Sequence, residues 1–159
     1  MLKYTMKTEK IITYLTEQNQ SISFAESCTG GRIASAFTAI SGASSVLNGS
    51  CVTYSNEIKH LWLGVKEQTL IEFGAVSSEC VSEMLVGIQR MASADYAIAV
   101  SGIAGPTGGS ELKPVGTVYI GILTPKHTIV RGYLFKGNRE EVQQQATNEA
   151  IELLYKNLK

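Results

Sequence analysis

Ser21-Ile22-Ser23-Phe24-Ala25-Glu26-Ser27-Cys28-Thr29-Gly30-Gly31-Arg32-Ile33 is the stretch on which the fold turns. Residues 21–24 are a short β-prone run. A helix over 28–41 is predicted to follow, with Ile33, Phe37 and Ile40 on its apolar side. Between them lie two hydroxyls, a thiol and two glycines, placed at the first turn of that helix. Unpaired N–H groups and a partial positive charge make a helix start suited to a phosphate or an oxyanion, and glycines let a ligand approach the backbone. The plain reading is a Ser or Thr N-cap over a tight turn, and a lone Ser-x-Thr-Gly-Gly would be read that way. Two unusual segments downstream argue for more.

Outward from this stretch, residues 7–19 place Ile11, Ile12 and Leu15 on one helical face. Ser44 to Ser55 has apolar residues on both parities, which predicts a strand buried on both faces. Asn56–Leu63 and Glu67–Phe73 read as short helices stopped by Gly64 and Gly74. Ser77 or Ser78 caps a longer helix whose core face carries Val81, Met84, Leu85, Ile88 and Met91. Tyr96 to Val100 is a continuous apolar run, a buried central strand broken at Ser101-Gly102. Val115–Leu123 and Thr128–Phe135 predict a hairpin. A last helix over 139–158 repeats Val142, Ala146, Ala150 and Leu154. Strands interspersed with helices, then two adjacent strands, define one three-layer α/β domain over 1–159, a mixed β-sheet with helices on both faces.

The 159 residues are 44% hydrophobic and 18% charged, enough for one ordinary core. Fourteen basic and fourteen acidic residues balance, and no basic stripe points to nucleic acid. Cys28, Cys51 and Cys80 are odd in number and lack a CxxC spacing, which suggests neither a disulfide framework nor a zinc cluster and fits a reducing cytoplasm. No apolar run approaches a membrane span, so no membrane partner is expected.

The second segment is Thr53-Tyr54-Ser55-Asn56-Glu57-Ile58-Lys59. At a strand-to-helix turn Tyr54 and Lys59 can point into one cleft, and a lysine becomes a general base when desolvation strips its proton near neutral pH. Alone, an exposed lysine and a half-buried tyrosine would be the plainer reading. The third is Ser101-Gly102-Ile103-Ala104-Gly105-Pro106-Thr107-Gly108-Gly109-Ser110, a glycine-rich loop able to form an anion nest or merely a mobile connection. Its spacing and the strand after it are unlike a Rossmann fingerprint or a P-loop, so no dinucleotide cofactor is expected. His60 and His127 form no ligand motif, and no metal is expected. With no candidate histidine base, Ser27 with Lys59 is the more economical catalytic pairing.

In this order, Ala25–Gly31, Val52–Glu57 with Lys59, Gly74–Ser77, Ser101–Pro106 and Lys113–Val118 resemble the CinA C-terminal domain family over nearly the whole chain. Its characterised enzymatic members are nicotinamide mononucleotide deamidases, and the chain looks like the stand-alone form. The resemblance implies a cofactor-free amidase of a small-molecule mononucleotide, with Ser27 as nucleophile, Lys59 as base and Tyr54 as a hydrogen-bonding partner in their cluster. Thr29, Gly30, Gly31, Ser101, Gly102 and Arg139 are its candidate substrate contacts, and a homo-oligomer is expected. Many relatives carry a second arginine four positions after the one matching Arg139, where this chain has Gln143. A catalytically silent nucleotide- or protein-binding member is therefore the alternative.

Overall fold

In chain order the elements are α1 (Leu2–Gln18), β1 (Ile22–Glu26), α2 (Arg32–Thr38), a 3-10 turn (Ala43–Ser45), β2 (Leu47–Val52), α3 (Asn56–Leu63), α4 (Glu67–Glu72), α5 (Ser78–Ala92), β3 (Tyr96–Gly102), β4 (Thr117–Leu123), β5 (Thr128–Leu134) and α6 (Arg139–Tyr155). This is a computed structural model that describes residues 2–158. The strands form one sheet in the order β2-β1-β3-β4-β5. β1 pairs in parallel with β2 and β3, whereas β3, β4 and β5 pair antiparallel. The chain is a single domain of mixed sheet and helices.

The alternation of side chains along β1 and β3 explains the layering. Ile22, Phe24, Ile98 and Val100 point to one face and join Val118, Ile120 and Ile122 in a core with α1, α2 and α6. Ala25, Ala97 and Ala99 point to the other face, against Cys80, Val81, Met84, Leu85 and Ile88 of α5 and Leu63 of α3. The α5 side of the sheet is thus built from small residues, which lets that helix lie close. A Cβ on Gly121 would come within 2.7 Å of Leu85 and 2.8 Å of Val81. At Gly87 a Cβ would sit 2.0 Å from the Leu63 carbonyl oxygen, so glycine is what allows α3 and α5 to cross in contact.

Local chemistry sets the boundaries. Ser55 caps α3 by accepting from the Ile58 N–H, Ser77 caps α5 through the Cys80 N–H, and Asn138 and Glu141 form a capping box on α6. The helix expected over 28–41 is shorter because Cys28–Gly31 are turns. Gly30 and Gly31 have φ of 59° and 98°, values outside the right-handed helical region. The strand expected over 44–55 shrinks to β2, an edge strand with one exposed face. Met91, expected in the core, faces solvent at the end of α5.

β1 lies between β2 and β3, and all three run the same way. The chain leaves β1 through α2 on one face and leaves β2 through α3, α4 and α5 on the other. Such a divergence opens a crevice at the carboxyl ends of the strands, where α/β domains bind ligands.

Candidate active site

The carboxyl ends of these parallel strands deliver the principal side chains. Ser27 follows β1, Thr53 and Tyr54 follow β2, and Ser101 and Gly102 close β3. Because Ser55 starts α3 at once, Lys59 lies one turn into that helix and its side chain runs back toward Ser27. Lys59 Nζ is 3.0 Å from Ser27 Oγ, and it donates to the Thr53 carbonyl at 2.8 Å and more weakly to the Tyr54 carbonyl at 3.3 Å.

Lys59 is only 1% exposed, and among the described residues no carboxylate pairs with it. Burial holds its pKa below the ordinary 10.5. Negative charge on Cys80 or Cys28 would oppose that shift. Burial pushes those thiols up to about 11 and about 12, so both are neutral at working pH. The contacts define what the amine can do. A carbonyl oxygen only accepts, so two hydrogens are held by Thr53 and Tyr54. In the neutral amine the remaining position is a lone pair facing the Ser27 hydroxyl.

Glu26 organises the turn that carries Ser27. Its carboxylate is fully buried and accepts from the Thr29 hydroxyl at 2.7 Å and from the Ile33 and Ala34 N–H groups at 3.0 Å each. The Ile33 and Ala34 N–H groups at this helix start are thus taken by the chain's own Glu26 side chain. Thr29 is buried with its hydroxyl on Glu26, and neither it nor Gly30 nor Gly31 lines the site cavity. Gln143, on α6, is also buried, and its Nε2 donates to the Cys28 carbonyl at 2.9 Å. Sequence reading missed the Glu26 and Gln143 contacts; the signal for Glu26 was its place directly before the turn, and there was none for Gln143.

The cavity beside Ser27 measures about 300 Å³, at the small end of the range for ligand sites. Ser27, Lys59, Tyr54, Ser101, Gly102 and Arg139 all line it, together with Cys28 and the 103–108 loop. Arg139 spans its rim, donating from Nη1 to the Gly105 carbonyl at 2.7 Å and from Nη2 to the Tyr54 phenol oxygen at 2.8 Å. Tyr54 is 61% exposed. Its phenol was expected beside Lys59; that contact belongs instead to its backbone carbonyl, because the side chain turns across the cavity to Arg139. Lys113 donates to the Phe73 carbonyl at 2.6 Å and ties the glycine-rich loop to the turn after α4.

His60 Nδ1 lies 2.7 Å from the Val65 carbonyl, which makes it a packing residue. Among the described residues no group of three or more His, Cys, Asp or Glu could hold a metal ion, and no helix is long and apolar enough to cross a membrane.

Fold and site together define an α/β domain with a serine hydroxyl held against a buried lysine at the switch point of its sheet. The sequence model of the CinA C-terminal domain matches residues 5–158, and the chain belongs to that family. A CinA-like protein of Endomicrobium trichonymphae is 50% identical over 144 residues, 91% of this chain and 34% of the relative. One from Thermotoga neapolitana is 45% identical over 160 residues, 98% of this chain and 39% of the relative. The chain thus spans between a third and two-fifths of the length of these relatives. The crystal structure of the competence/damage inducible protein CihA from Agrobacterium tumefaciens superposes with a TM-score of 0.95 at 37% identity, covering 98% of this chain and 96% of that one. That of the competence damage-inducible protein A (ComA) from Klebsiella pneumoniae gives 0.94 at 37% identity, covering 98% and 96%.

Proposed function

We propose that this domain hydrolyses the carboxamide of nicotinamide mononucleotide to nicotinate mononucleotide and ammonia, in pyridine nucleotide recycling. The observation that carries the reading is the buried 3.0 Å approach of Lys59 Nζ to Ser27 Oγ, in a site where burial favours the neutral amine. Family membership is compatible with a hydrolase of this kind.

The chemistry follows from that pair. Neutral Lys59 takes the Ser27 proton as Oγ attacks the amide carbon. The resulting ammonium returns the proton to the leaving nitrogen, the C–N bond breaks, and ammonia departs from an acyl-serine ester. Water then adds to the ester carbon with Lys59 again taking the proton. Collapse returns the Lys59 proton to Ser27 Oγ and frees the carboxylic acid, which loses its own proton to solvent and leaves as the carboxylate. Cys28 stays a neutral thiol beside the nucleophile.

Arg139 supplies the substrate's orientation. Two of its five N–H donors hold Gly105 and Tyr54, which leaves donors for a phosphate at the cavity rim. Ser101 and Gly102 form the wall beside the reacting amide. The silent-binder alternative drew its motive from Gln143, and Gln143 faces the Cys28 carbonyl instead of the cavity.

The test is to incubate the purified chain with nicotinamide mononucleotide or free nicotinamide and follow ammonia and product masses. We expect nicotinate mononucleotide from the first and little reaction of the second, because the phosphate end supplies binding energy used at the amide. No ammonia from the mononucleotide at high enzyme concentration, with binding still seen by calorimetry, would leave a nucleotide-binding domain and refute the amidase.

A further inference from the structure

Three successive carbonyls follow the start of the Ser27 turn, and they are satisfied differently. Ser27 accepts from the Gly30 N–H at 3.0 Å and Thr29 from the Arg32 N–H at 3.1 Å. Cys28, between them, accepts from a side chain: Gln143 Nε2 at 2.9 Å, reaching in from α6, 115 residues along the chain. The outer carbonyls are fixed by local turn geometry and the middle one by tertiary structure. We infer that Gln143 is a positioning residue for Ser27: it fixes the rotation of the Cys28–Thr29 peptide, one removed from Ser27 in the same turn, and so the direction from which Oγ meets Lys59 Nζ.

The surroundings support this assignment. Gln143 is buried, α6 is rooted in the core by Val142 and Ala146 on either side of it, and its backbone carbonyl accepts from the Thr147 hydroxyl at 2.8 Å. Its amide is therefore held on a rigid element. Glu26 fastens the far end of the same turn through Thr29, Ile33 and Ala34. With Glu26 alone the turn keeps its far end, while the Cys28–Thr29 peptide, free of its donor, can rotate. Gln143 touches neither the cavity nor Lys59, and its hydrogen bond toward the site is to the Cys28 carbonyl, on the residue next to Ser27.

This inference rests on Ser27 being the nucleophile, and the experiment separates the two claims without the natural substrate. An alkyl fluorophosphonate phosphonylates an activated serine: the Oγ–P bond forms, fluoride leaves, and Lys59 takes the proton. Its labelling rate at Ser27, located by peptide mass spectrometry, is compared in the wild type, Gln143→Met and Gln143→Asn, with each melting temperature recorded. Met keeps the length and removes the donor; we expect labelling about 10- to 100-fold slower, with the pH midpoint of the rate unchanged because the environment of Lys59 is intact. Asn keeps the amide one methylene short and recovers part of the rate. It also serves as the test should the Met variant fail to fold. A Gln143→Met protein that labels at the wild-type rate, or an equal rate in Gln143→Asn if only that one folds, overturns the positioning role and leaves the nucleophile standing. A shifted pH midpoint overturns it too, since Gln143 would then act on Lys59. No labelling of Ser27 in the wild type overturns the nucleophile and this inference with it.

Discussion

Replacing Lys59 by Arg and by Met separates a base from a mere positive charge. Lys59 Nζ touches three oxygens, Ser27 Oγ, the Thr53 carbonyl and the Tyr54 carbonyl, at 3.0, 2.8 and 3.3 Å. Met removes the base and leaves one buried carbonyl, of Thr53, and one part-buried, of Tyr54, without their donor. Losing general-base assistance costs about 10²- to 10⁴-fold in kcat, or about 3 to 5 kcal/mol of barrier. Each abandoned carbonyl costs about 1 to 3 kcal/mol of stability, offset in part because no amine need then be dehydrated. Arg keeps its proton at any working pH, so its kcat should fall as far as that of Met. It should also be the less stable variant, because a permanent charge without a carboxylate partner costs several kcal/mol in a dry site. Burial lowers the Lys59 pKa from 10.5, so wild-type kcat, followed by ammonia release, should rise with pH to a midpoint below that value. Between the folded pKa and 10.5 the unfolded chain holds the extra proton, and stability from this group increases with pH. Below the folded pKa the full cost of burying the lysine remains. The stability of wild type relative to Lys59→Met should therefore improve as pH climbs through that window. An Arg variant retaining a tenth or more of kcat, or a wild-type kcat that shows no rise with pH to a midpoint below 10.5, would refute the base.

Cys28→Ala should keep kcat within about threefold, because a thiol pushed up to about 12 is protonated at working pH and offers no nucleophile; steady-state kinetics of the variant checks this. Gly87→Ala should lower stability by about 3 kcal/mol or more in urea unfolding, since its Cβ would sit 2.0 Å from the Leu63 carbonyl oxygen. The same displacement moves α3, which carries Lys59, so kcat should fall with it.

What could be read from the sequence was mostly local. The α5 face from Val81 to Ile88, the β3 run and the stop at Gly64 follow from periodicity and turn chemistry within a few residues, and their observed positions agree, whereas Met91 at the end of α5 is exposed. That Tyr54 and Lys59 would share one cleft was also legible, because the segment turns there from strand to helix; the pairing of Lys59 with Ser27 rested on the lack of a histidine base and on the family resemblance. The exposed face of β2 was not, since edge or centre is decided by which strands pair beside it. Nor was the direction of the Tyr54 phenol, which depends on Arg139 arriving from α6. At the Ser27 turn the hydroxyl-and-glycine pattern did not reveal that the Glu26 side chain, one residue away, takes the Thr29 hydroxyl and the Ile33 and Ala34 N–H groups. Gln143 looked like a lost cation; its amide lies on the Cys28 carbonyl, a partner visible only in the folded chain.

Hydrolysis through Ser27 requires an acyl bond to its Oγ, and the most direct measurement is the intact mass of the protein acid-quenched during turnover of nicotinamide mononucleotide, with the adduct mapped by fragmentation. We expect a nicotinate mononucleotide ester on Ser27, absent from Ser27→Ala, which should bind substrate nearly as well as the wild type and release no ammonia. Turnover by Ser27→Ala, or an adduct on Cys28 or any other residue, would contradict it.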